Sequence, residues 1–76
     1  MPDHASKLQK TLGDTIYAER KARNLSQEQL AAEAGISMTY LGEVERGEKM
    51  ASLETITRIA AALKMTGAEL LMKAAL

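Results

Sequence analysis

Seventy-six residues form one small domain, and with no cysteine the chain has neither a disulfide framework nor a thiolate metal site to staple it. Ten basic and ten acidic side chains give a formal net charge of zero, so no long-range field draws it to polyanions. The apolar residues are mostly Ala, Leu, Ile and Met, without Phe or Trp and with a single proline, which favours an all-α fold.

Helix-start signals punctuate the chain. Ser or Thr followed three residues later by Glu or Gln lets two side chains satisfy each other's free backbone N–H groups, and Ser6/Gln9, Ser26/Gln29 and Thr66/Glu69 fit that spacing. The first helix is expected from about Ser6 to Arg23, with Leu8, Leu12 and Ile16 on one stripe. Residues 1–5 before it are expected to be disordered. Asn24 suits a left-handed helix end, and Leu25 closes the corner. A second helix, Gln27 to Ala34, buries Leu30, Ala31 and Ala34 before the Gly35 turn. Ser37 caps a third, Met38 to Arg46, with Leu41 and Val44 inward and Gly47 as its stop. Ser52 caps a fourth, Leu53 to Leu63, whose inner face is Ile56, Ile59, Ala60 and Leu63. The fifth follows Thr66. No linker or repeat interrupts the five, so residues 1–76 read as one domain.

The segment 26–47 carries the functional signal. Ala31 is small where the next helix must approach, Gly35 permits a positive φ, and Ile36 and Val44 plug the corner. This spacing suits a helix-turn-helix, with an ordinary helical hairpin as the plainer alternative.

The stretch "LSQEQLAAEAGISMTYLGEVERGEKMASLETITRIAAAL" resembles the Cro/lambda-repressor-like (XRE-type) helix-turn-helix family, and within it the controller proteins of restriction–modification systems. "LSQEQLA", "AGIS", "TYLGEVERG" and "SLETITRIAAAL" carry the resemblance, which extends over about residues 10–71. It implies a compact five-helix domain whose residues 38–46 lie in the major groove of DNA. The base-facing positions would be Ser37, Met38, Thr39 and Glu43. Gln27 matches a glutamine that grips a backbone phosphate, and a helix N-terminus is where an anion is favoured. Arg46 and Lys49 are candidate phosphate contacts on the other side. Arg20 matches an arginine that pairs with Glu45, with at most a secondary phosphate contact.

That pairing explains how an acidic segment could face DNA, since Glu45 would be neutralised and Glu28 and Glu33 point elsewhere. Only Glu43 would face the groove, either accepting from cytosine N4 or merely solvated. Lys7, Lys10, Arg20, Lys21 and Arg23 give the first helix a basic excess, although they spread around it. Two positions depart from the family. Met38 stands where a basic or amide residue is common, and Gly42 costs about 1 kcal/mol of helix propensity. Gly42 is expected either to clear the sugar–phosphate wall or simply to be exposed.

"MTGAELLMKAAL" holds more apolar surface than one neighbouring helix covers, so residues 66–76 are expected as a dimerisation helix, with Met65, Leu70, Leu71, Met72 and Leu76 at a two-fold homodimer interface. The family resemblance points the same way. The expected function is a sequence-specific transcriptional regulator, bound as a homodimer to an inverted-repeat operator in double-stranded DNA. A DNA-binding antitoxin whose main partner is a toxin protein is the alternative, and a protein-binding helix-turn-helix is a further one. An enzyme is not expected: His4 is the lone histidine, and Glu43 and Glu45 lie on different helix faces. Neither a cofactor, a metal nor a small-molecule ligand is expected. "IAAAL" is too short to span a bilayer and "MPDHASK" lacks a signal peptide's features, so a cytoplasmic location is expected.

Overall fold

The computed structural model describes the backbone of residues 4–76 and side chains from residue 6 onward. Five helices follow one another: α1 (His4–Ala22), α2 (Gln27–Ala34), α3 (Met38–Glu45), α4 (Leu53–Ala62) and α5 (Gly67–Ala75). No strand occurs among the described residues. Their order and number match the sequence-based expectation, and α1, α3 and α4 each stop one residue short of it.

Four helices begin on the expected caps. Ser26 and Thr66 form complete capping boxes with Gln29 and Glu69, and Ser37 and Ser52 accept hydrogen bonds from the amides of Tyr40 and Thr55. The Ser6/Gln9 box is a correction. α1 already runs from His4, so Ser6 lies inside the helix, and the Gln9 amide instead donates to the carbonyl of Gly47 at 2.8 Å. His4 and Ala5, expected to be disordered, are helical in backbone; residues 1–3 and the His4 side chain lie outside what is described.

α1 packs on α3 and α5, α4 on α2 and α5, and α2 on α3, which encloses a single core. Leu12 and Ile16 from α1, Leu30 from α2, Leu41 and Val44 from α3, Ile59 and Leu63 near α4, and Leu70 from α5 are essentially inaccessible. The small residues Ala31, Ala34, Ala51, Ala60 and Ala74 fill the close approaches between them. Two turns use left-handed backbone as expected: Asn24 (φ 56°) ends α1, and Gly35 (φ 71°) ends α2. Lys64 takes φ 63° after α4, where glycine or asparagine would be usual.

One expected interface residue and one glycine of the recognition segment are placed differently by this packing. Leu70 is a correction: it is 0% exposed inside the monomer and has no surface to offer a second copy. Gly42, for which exposure was one expectation, is buried.

Candidate nucleic-acid interface

The α2–α3 corner is held by backbone bonds. The amides of Gly35 and Ile36 donate back to Ala32 and Ala31 at 3.2 and 3.0 Å, closing the end of α2. Buried Ala31 and Ala34 leave room for α3 to cross closely, while Ile36 packs partly covered against the core. As a result the N-termini of α2 and α3 open onto the same shallow groove of about 640 Å³, lined by Lys21, Asn24, Gln27, Gln29 and Met38 among others. Free amides at two helix starts and the cation of Lys21 favour an anion in that groove, while the Glu28 carboxylate, expected to point elsewhere, also lines it and opposes one.

α1 fixes the other end of α3. Arg20 donates Nε to Glu45 Oε2 at 2.8 Å and Nη2 to Oε1 at 3.0 Å, while Nη1 donates to the carbonyl of Leu25 at 2.8 Å. Its guanidinium also lies over the Tyr17 ring, 5.2 Å from the centroid. The bonded Glu45 carboxylate raises the arginine's already high pKa, so the guanidinium keeps its charge. Both side chains are buried. The expected brace is present, and the phosphate contact assigned to Arg20 is a correction, because three of its donors are spent inside the protein.

The same carboxylate orients Gln27. Gln27 Nε2 donates to Glu45 Oε1 at 2.9 Å, which turns the amide nitrogen towards α3 and leaves its second N–H for another acceptor. Beside it lies Arg46. A Cβ placed on Gly42 would stand 3.0 Å from Arg46 Nη1 and 3.8 Å from Gln27 Nε2. Gly42 is buried because the arginine folds back across it, and its missing side chain brings the two donor groups together.

At the start of α3, Ser37, Met38 and Thr39 are exposed. Ser37 Oγ accepts from the Tyr40 amide at 3.0 Å, so only its hydroxyl proton and one lone pair remain for a ligand. Met38 is 50% exposed and presents its thioether at the mouth of the groove. Glu43 lies further along and pairs with Lys49 at 3.4 Å, while Arg46 pairs with Glu48 at 2.7 Å. The two cations expected to be available, and the Glu43 expected to stand alone, are thus each paired. Neither Glu48 nor Gly13, which seats α1 on α3, was singled out. A glycine inside the apolar stripe of α1 was the only signal for the latter.

The helix-turn-helix family profile (HTH_3) matches residues 16–70, which includes α2, α3 and α4 entire. The chain belongs to the helix-turn-helix family. It is 38% identical over 66 residues to the control protein C.SmaI of Serratia marcescens, covering 87% of this chain and 79% of that protein. It is 45% identical over 53 residues to an immunity repressor of Bacillus phage phi105, covering 70% of this chain but only 37% of the repressor. Thus it spans little more than a third of that relative. The crystal structure of the restriction–modification controller protein C.AhdI from Aeromonas hydrophila superposes with a TM-score of 0.79 at 39% identity, covering 82% of this chain and 94% of that one. In this helix-turn-helix chain, Gln27 and Met38 are the first residues of the two helices that define the motif. No helix among the described residues is long and apolar enough to cross a membrane.

Proposed function

We propose that this chain is a sequence-specific transcriptional regulator that binds double-stranded DNA as a homodimer. The observation that carries the reading is that Gln27 and the exposed start of α3 border one open groove, with Arg46 brought close to Gln27 across Gly42. A backbone phosphate docks at the α2 N-terminus, where the second N–H of Gln27 and the helix dipole favour it. Thr39 and Ser37 then reach base edges, Met38 packs on a thymine methyl, and Glu43 accepts from cytosine when Lys49 releases it. Arg46 and Lys49 hold phosphates beyond the far end of α3.

The relatives support the same reading, since they include a control protein and an immunity repressor. A second copy is proposed to join through the outer face of α5, where Met72 is 65% exposed and Leu76 lies open, with Met65 and Leu71 partly covered behind them. A two-fold pair of this kind reads half-sites about 10 bp apart on one side of the duplex. It would act cytoplasmically on an inverted repeat near a promoter, with neither a catalytic step nor a cofactor.

Selection from randomised duplexes tests this directly. The expected product is an inverted repeat whose binding is weakened at particular positions by Thr39→Ala and at all positions by Gln27→Ala. A folded protein that enriches no sequence at moderate salt overturns the reading.

A further inference from the structure

The proposed DNA contacts make no use of Glu48. This residue lies in the turn after α3 and takes the Arg46 guanidinium on two prongs, Nε to Oε2 at 2.7 Å and Nη2 to Oε1 at 3.3 Å. Parallel donation to two oxygens is also how a guanidinium holds a phosphate. The remaining nitrogen, Nη1, is the one that lies over Gly42 towards the Gln27 amide. A carboxylate therefore already sits where an anion would be held by the arginine. Lys49 and Glu43, paired at 3.4 Å, repeat the arrangement one step away. Two cations and two anions leave this end of the motif with no net charge.

We propose that Glu48 is a built-in stand-in for phosphate: it occupies Arg46 in the free protein, a DNA backbone must displace it, and it thereby limits the affinity of this face for every DNA sequence. The inference rests on the DNA-binding reading above. Exposure makes the exchange feasible, since the two side chains are 58% and 53% accessible, and a solvated pair of that kind opens readily. The contrast with Arg20–Glu45 is direct, because that pair is buried and held by further bonds. Once displaced, the Glu48 carboxylate stands beside the incoming phosphate and repels it. Neither the displacement nor the repulsion depends on the base sequence, so the effect is uniform. A chain without excess positive charge avoids indiscriminate binding to nucleic acid by this route.

The test uses the whole chain and fluorescence anisotropy with a labelled duplex of scrambled sequence and one recovered by selection. Glu48→Gln is expected to tighten binding to both by the same factor, about two- to five-fold at low salt. Between about 50 and about 200 mM salt, its log–log slope is expected to steepen by up to about one counterion. Arg46→Ala must weaken binding, and adding it to Glu48→Gln must erase the gain. If Arg46→Ala weakens binding but Glu48→Gln changes nothing, the inference fails and the DNA-binding reading stands. A gain that survives without Arg46 also overturns it, since general charge then accounts for the effect. Absence of binding by every variant at the lowest salt overturns both.

Discussion

Gly13 of α1 is seated directly on the last turn of α3: a Cβ on it would lie 2.3 Å from the carbonyl oxygen of Val44 and 2.7 Å from that of Glu45. Both obstacles are backbone, so neither can rotate away. Gln9 and Arg20, on the same helix, bond Gly47 and Glu45, so α1 holds the end of α3 at three points. Gly13→Ala is therefore expected to destabilise the fold by about 1–3 kcal/mol as an overpacked core site, despite alanine's better helix propensity. Urea unfolding measures this. An unchanged or higher midpoint would mean that α1 and α3 separate at little cost.

Removing one member of the buried ion pair should be more damaging. Glu45→Ala strips Arg20 of two hydrogen bonds and leaves its charge inside, with only Leu25 and the Tyr17 ring beside it. The expected loss is about 3–5 kcal/mol, a large share of a small domain's stability. Replacing both by apolar residues, as in Arg20→Met with Glu45→Leu, is expected to recover much of it. Thermal unfolding of the three variants decides the point, and a mild single variant would show that water reaches the arginine.

Two residues of α5 two positions apart, Leu70 and Met72, should behave in opposite ways. Leu70→Ala empties a fully enclosed site and is expected to cost about 2–5 kcal/mol. Met72→Glu alters an exposed side chain and is expected to leave the monomer's unfolding midpoint nearly unchanged while abolishing self-association. Sedimentation with denaturation reads both effects. An undiminished dimer in Met72→Glu removes this face from consideration.

Acid should weaken the fold through carboxylates whose pKa the folded chain lowers, Glu19, Glu48 and Glu69 among them. The Arg23 guanidinium bonded to Glu19, with Lys73 nearby, holds that carboxyl below its ordinary 4.5. The backbone amide of Thr66, closing its capping box, does the same for Glu69. A folded pKa below the unfolded one means the unfolded chain binds protons first, so this stabilisation is complete above about pH 4.5 and disappears as pH falls through the depressed folded values. Glu69→Gln, which removes one of these groups, is expected to lessen the loss of stability between about pH 5 and pH 3. Chemical denaturation across that range provides the measurement, and an acid limb as steep as the parent's would remove Glu69 from its cause.

Local chemistry in the sequence determined a good deal by itself. The caps at Ser26, Ser37, Ser52 and Thr66, the left-handed ends at Asn24 and Gly35, and the apolar stripes of α1 and α4 each depend on residues within a few positions of one another. Such signals survive without knowledge of the fold, because the backbone groups they satisfy belong to the same turn. The spacing Ala31–Gly35–Ile36–Val44 likewise sufficed to suggest how two helices meet. Tertiary structure alone decided which polar groups are spent and which are offered. Gln9 has a box partner in sequence but bonds Gly47, 38 residues away. Arg20 and Arg46 look equivalent as cations; one is buried between α1 and α3, and the other lies in solvent with Glu48 across it. Leu70 and Met72 look equivalent as apolar residues, yet only the first falls on the side of α5 that meets the core. Charge and hydrophobicity are properties of a residue, whereas availability depends on neighbours that the folded chain brings from elsewhere.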